Sequence, residues 1–137
     1  MSARTKARKR ALDVLYESEL RADSSLGSTL AGRIDDAEPP LNPYTVRLVE
    51  GVVQHREEID RLLAEHAVGW TLDRMPAIDR NLLRLAVFEI CYLDDVPDPV
   101  AVSEAVTLAT SLSTEQSPTF VNGLLARIVR EKPHLTV

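Results

Sequence analysis

Apolar residues recur at spacings of three and four along nearly the whole chain, and no stretch alternates with period two. A sheet is therefore not expected, and helices must bury their apolar stripes against one another. From Ala3 to about Arg21 the stripe is Ala7, Ala11, Val14, Leu15 and Ser18. A loop-like stretch follows, with Gly27, Gly32, Pro39 and Pro40 and room for one short helix around Leu26–Ile34. Asn42-Pro43 then reads as an N-cap with proline at the first helical position. Val46, Val49 and Val53, then Ile59, Leu62, Leu63 and Ala67, predict two helices with a break near His55, closing before Gly69-Trp70. Pro76 opens a helix that ends before DDVPDP, and AVSEAVTLATSL repeats the spacing through Val102, Ala105, Val106, Ala109 and Leu112. Ser117-Pro118 predicts the cap of a last helix, lined by Val121, Leu124, Leu125 and Ile128 and stopped by Pro133. The pattern predicts an all-α chain of about seven helices.

With 137 residues, the chain has the length of one domain spanning 1–137. Aromatics make up only 4%, so the core must be largely aliphatic. Cys91 is the single cysteine, which excludes an intrachain disulfide. No apolar run approaches the roughly 20 residues that a membrane span requires. Asp13, Glu17 and Glu19 interrupt the segment where a signal peptide would need its apolar region. A soluble, cytoplasmic protein without membrane contact is expected.

Charge is distributed unevenly. The first ten residues, MSARTKARKR, hold Arg4, Lys6, Arg8, Lys9 and Arg10 and no acid, although the chain is -5 overall. Removing those five from the 16 Lys+Arg leaves 11 against 21 Asp+Glu. On a helical wheel Lys6, Lys9 and Arg10 lie opposite the Ala7–Ala11–Val14 stripe, while Arg4 and Arg8 lie nearer its edge. Cations at a helix N-terminus oppose the macrodipole, which favours anions there by roughly 0.3–1 kcal/mol each. An external polyanion relieves that conflict, and phosphate backbones are the polyanion such segments meet. The competing reading is a solvated face that merely solubilises a helical adaptor for other proteins.

No catalytic constellation is legible. His55, His66 and His134 lack metal-ligand spacing, apart from Glu131-x-x-His134 in the tail. Cys91 sits in an apolar helix and reads as a packed thiol. The glycines form no phosphate-cradling loop. Neither an enzyme nor a metal or cofactor is expected. Glu89 falls in the centre of the stripe formed by Ile78, Leu82, Leu85 and Tyr92, where a carboxylate needs partners. Backbone donors of the VPDPVAV turn are the expected ones, and a catalytic carboxylate is the lesser alternative.

DRNLLRLAVFEI at 79–90, VPDPVAVSEAVTLA at 96–109 and SPTFVNGLLARI at 117–128, together with the basic first helix running into ALDVLYESEL, resemble the NusB family of bacterial transcription antitermination factors. The resemblance implies two small helical bundles packed together. It also implies binding of the boxA segment of ribosomal RNA leader transcripts together with NusE, a small-subunit ribosomal protein, within an antitermination complex on RNA polymerase. The family's arginine-rich motif maps onto Arg4, Lys6, Arg8, Lys9 and Arg10. Its FVNG motif maps onto Phe120, Val121, Asn122 and Gly123. Phe120 is either a platform for an unstacked base or a core residue, and Asn122 either reads a base edge or bonds to nearby backbone. Arg80 and Arg84 either extend the basic surface or are solvated. Asp79, Arg80, Glu115 and Gln116 are the expected NusE contacts. Whether the free protein is a monomer or a homodimer stays open. Some RNA cytosine methyltransferases carry a NusB-like domain, but a cofactor-binding domain beside it is not expected here.

Overall fold

Each helix starts where the chain supplies a device for starting one. Asn42 accepts a hydrogen bond from the Tyr44 amide at 2.8 Å through its side chain, and Pro43 occupies the first turn with no amide to satisfy. Pro76 and Pro97, both extended, each precede a helix and accept its first backbone bonds. The computed structural model describes residues 2–20 and 41–132. Within them lie five α-helices: α1 (Ala3–Leu20), α2 (Pro43–His66), α3 (Ala77–Tyr92), α4 (Asp98–Leu112) and α5 (Ser117–Glu131). A single 3-10 turn, Leu72–Arg74, precedes α3. No strand occurs among the described residues. The all-helical class is as expected, whereas the expected count of about seven is too high for the described residues. The predicted short helix at Leu26–Ile34, His134 and the stop at Pro133 all lie outside them.

The break expected near His55 is present as a kink within one helix. His55 has non-helical angles (φ -109°, ψ 17°), and its ring stacks on Tyr92 with centroids 4.0 Å apart. One turn earlier, a Cβ on Gly51 would fall 2.1 Å from Cζ of Phe88. Only glycine lets α2 approach the Phe88 ring this closely.

Helix α3 touches all four other helices. Every residue from Asn81 to Cys91 is buried, so α3 has no solvated face at its centre. Helices α1 and α2 cover one side of it, and α4 and α5 cover the other. The stripes predicted for α1 and α5 are buried as expected. On α2 the stripe is rotated, for Leu48, Val49 and Val52 are buried whereas Val53 is exposed. On α4 likewise Ala101, Ala105, Leu108 and Ala109 are buried and Leu112 is exposed. Ser117, expected to cap α5, is instead its first residue and is buried, with Gln116 before it.

Candidate nucleic-acid interface

The basic arm is the first two turns of α1. Lys6, Lys9 and Arg10 are exposed, on the side of the helix away from the core. Arg8 is not with them. It is 4% exposed and lies on the buried face between Ala7 and Leu12. Its Nε lies 3.0 Å from both carboxylate oxygens of Glu89, and a terminal guanidinium nitrogen stands 2.9 Å from Oε2. Glu104 approaches the other terminal nitrogen at 3.4 Å. Burial works against the Arg8 charge, but the bonds and charge of Glu89 outweigh it and hold its pKa above the ordinary value. Arg8 is therefore corrected from a surface contact to an internal ion.

Glu89 is buried as its stripe position required, but its partners differ from those expected. It accepts hydrogen bonds from Arg8 and from the Tyr44 hydroxyl, rather than from the VPDPVAV backbone. Burial, then the bond to Glu89, push the Tyr44 hydroxyl well above its usual range. Two opposite charges, both buried, thus pair with each other between α1 and α3.

Arg4 is exposed at the end of the arm. Its guanidinium stacks over the Tyr44 ring, 4.4 Å from the centroid, and donates to Asp95 at 3.0 Å. Thr5 donates to Glu104 at 2.8 Å, and the Thr45 hydroxyl donates to the Ala7 carbonyl at 3.0 Å. The N-terminal turns of α1 are thus fastened to α2, α3, α4 and the turn before α4.

Arg84 is also corrected. It is buried, donates to Asp60 at 2.8 and 3.1 Å and to Glu19 at 2.8 Å, and reaches the Asn81 side chain. Arg80 donates to Glu19 at 2.6 and 2.9 Å and to the carbonyls of Leu72 and Met75, which fixes the 3-10 turn. Burial alone would raise the Glu19 pKa, but hydrogen bonds from Arg80 and Arg84 lower it below the ordinary value. Neither arginine extends a basic surface. Asp79, expected as a polar partner contact, is 2% exposed and accepts from Ser113 at 2.5 Å and Ser117 at 2.8 Å. It ties the start of α3 to the α4–α5 connection. Of the four expected partner contacts, only Glu115 and Gln116 are exposed.

Phe120 is half-buried, and the sequence did not single out its neighbour. Trp70, 50% exposed, meets Phe120 edge to face with centroids 6.2 Å apart. Gly69, at φ +82°, makes the turn that precedes Trp70. The two rings border a cavity of about 230 Å³ that Pro76, Asp79, Thr114, Gln116 and Ser117 complete. Asn122, two residues on, does not share this side of the helix. It borders a separate groove of about 550 Å³ between α4 and α5, with Val102, Val106 and Val129. Phe120 and Asn122 thus do not face one base together. The only tryptophan, placed directly after a glycine in a connecting segment, was the missed signal.

Among the described residues no three metal-ligating side chains come together, and no described helix is long and apolar enough to cross a membrane. Burial pushes the Cys91 thiol up to about 11.

An all-helical protein with an exposed cationic face on an anchored first helix, and an aromatic slot elsewhere, has the form of a helical nucleic-acid-binding factor. A sequence model of the NusB family matches residues 5–130, and the chain belongs to that family. It is 58% identical over 135 residues to the transcription antitermination protein NusB of Nocardioides sp., covering 98% of this chain and 99% of that one. It is 57% identical over 128 residues to the NusB of Acidothermus cellulolyticus, covering 93% and 88% respectively. Among solved structures, T. maritima NusB superposes with a TM-score of 0.83 at 32% identity, covering 98% and 99% of the two chains. A structure of antitermination factors NusB and NusE in complex with dsRNA superposes with a TM-score of 0.78 at 30% identity, covering 93% and 96%.

Proposed function

We propose that the protein is a cytoplasmic transcription antitermination factor that binds boxA RNA of ribosomal RNA leader transcripts together with NusE. It acts by binding and not by catalysis, as a single domain. The observation that carries this reading is the arm. Lys6, Lys9 and Arg10 stand exposed on a helix that Arg8 anchors internally, in a chain otherwise rich in acid. Such a face neutralises phosphates and releases counterions without depending on base sequence. The Trp70–Phe120 slot supplies the complementary property, since aromatic faces stack unpaired bases. Kinship with NusB proteins, one of them solved with NusE and dsRNA, supports the same reading. Glu115 and Gln116, exposed beside the slot, are the proposed polar contacts to NusE. Contacts of that kind set register and specificity more than affinity.

Titration with a boxA-like single-stranded RNA at two salt concentrations tests the proposal. Binding should weaken steeply with salt, and Lys6, Lys9 and Arg10 changed together to Ala should flatten the dependence by about two to three units. Phe120→Ala should cost roughly 1–3 kcal/mol of RNA affinity if a base stacks there. NusE should raise RNA affinity by the factor by which RNA raises NusE affinity. Negligible, salt-independent binding would leave the helical adaptor as the better reading.

A further inference from the structure

Arg47, on the first turns of α2, extends toward the turn between α3 and α4. Its two terminal nitrogens stand 3.3 and 3.4 Å from the Asp95 carboxylate. Arg4, from α1, reaches the same carboxylate at 3.0 Å. Both arginine side chains and the Asp95 side chain are 46% exposed. Two guanidiniums from different helices therefore converge on one carboxylate at the protein surface, leaving one positive charge in excess. Asp95 is held below the usual carboxylate range by the hydrogen bond from Arg4, then that from Arg47. It stays ionised at neutral pH.

We propose that Arg4 and Arg47 form a phosphate-binding fork for the RNA backbone, which Asp95 occupies until a backbone phosphate displaces it. The inference rests on the RNA-binding reading above and assigns Arg47 to that surface. Arg4 is already oriented, because its guanidinium lies on the Tyr44 ring and the Tyr44 hydroxyl is tied to buried Glu89. Arg47 stands one turn beyond Tyr44 on the same helix, so the fork has a fixed base. A phosphodiester's oxygen pair matches guanidinium geometry as a carboxylate does, and carries the same single negative charge. An exposed intramolecular ion pair contributes little to stability, so its exchange for a phosphate is not opposed by the fold. The displaced Asp95 carboxylate faces the solvent, where it is readily hydrated.

Equilibrium binding of a boxA-like single-stranded RNA of about a dozen nucleotides to the full chain, measured across a salt series, tests this. Arg47→Ala should weaken binding several-fold at low salt and reduce the salt slope by up to about 0.7, the value for one single-strand phosphate contact. Asp95→Asn should tighten binding several-fold, since it removes the competitor and one negative charge. A single-stranded DNA of the same sequence should show the same Arg47→Ala change in slope, because a phosphate contact reads no base. Arg47→Ala binding as wild type, or Asp95→Asn binding no more tightly, would overturn the fork while leaving the RNA reading intact. Wild-type protein that binds no RNA would overturn the RNA reading and the fork with it. Circular dichroism of each variant separates these outcomes from unfolding, and a folded Arg47→Lys with intermediate slope and affinity would mark the loss of fork geometry.

Discussion

Replacing Arg8 by methionine should destabilise the protein far more than its place in a basic surface arm would suggest. The substitution keeps the aliphatic stem and removes the charge that faces Glu89. The Arg8 and Glu89 side chains are 5% and 2% exposed, so water does not replace the lost partner. Among the described residues, Glu89 would keep the Tyr44 hydroxyl alone. Removing one member of a buried pair costs about 3–5 kcal/mol, because the remaining charge is uncompensated. With an unfolding entropy of about 2.1 cal/mol/K per residue, 137 residues lose about 3–4 °C of Tm for each kcal/mol. The expected fall is therefore about 10–17 °C, read by circular dichroism at 222 nm. The double variant Arg8→Met with Glu89→Leu should return to within about 2 kcal/mol of wild type, since apolar residues can replace a buried pair at little net cost. The double variant should also keep the wild-type salt slope for RNA, because Arg8 offers no charge to solvent. A loss below about 1 kcal/mol for Arg8→Met, or strict additivity of the two changes, would refute the buried pair. A lower salt slope in the folded double variant would instead put Arg8 in contact with phosphate.

Gly51→Ala should cost about 1–3 kcal/mol in urea denaturation, because its Cβ would collide with the Phe88 ring. Glu19 has a folded pKa below its ordinary value of 4.5, so the stability it contributes is present above that value and lost as pH falls through the lower one. Stability measured from pH 6 down to pH 2 should decline less steeply in Glu19→Gln. The Cys91 thiol, pushed up to about 11 and buried, should react with thiol reagents at pH 8 only through opening of the fold, so that its labelling rate rises with added urea.

The helix starts were legible because prolines and Asn42 act locally. The cap at Asn42 and the start at Pro76 need no tertiary information, whereas the fourth helix begins at Asp98, inside the stretch expected to be a turn. The burial of Arg8, Asp79 and Arg84 was not legible, because each depends on a partner far away in sequence. Glu89 lies 81 residues from Arg8, and Ser117 lies 38 from Asp79. Periodicity marks charged positions as outward by default, and α3, buried all round from Asn81 to Cys91, breaks that default. The stripes of α2 and α4 were misplaced for a related reason. Valines read as core markers by hydrophobicity alone, whereas on α2 the close approach is made by Gly51, and on α4 Ala101 is buried while Val102 and Val106 are only partly so. Trp70 reads in sequence only as a helix boundary, because a connecting segment has no period to set its ring against.

The fastening of α1 has a consequence for the kinetics of encounter. A cationic segment that orders only on contact adds a conformational step to association, whereas here Thr5, Arg8 and Thr45 already hold the helix in place. Association with a phosphate chain should then be a single diffusive step. Its rate constant should fall with ionic strength as charge steering is screened, with no slow phase that is independent of RNA concentration. The acid in excess over the rest of the sequence would repel the same chain, so that approach is biased toward the cationic start of α1.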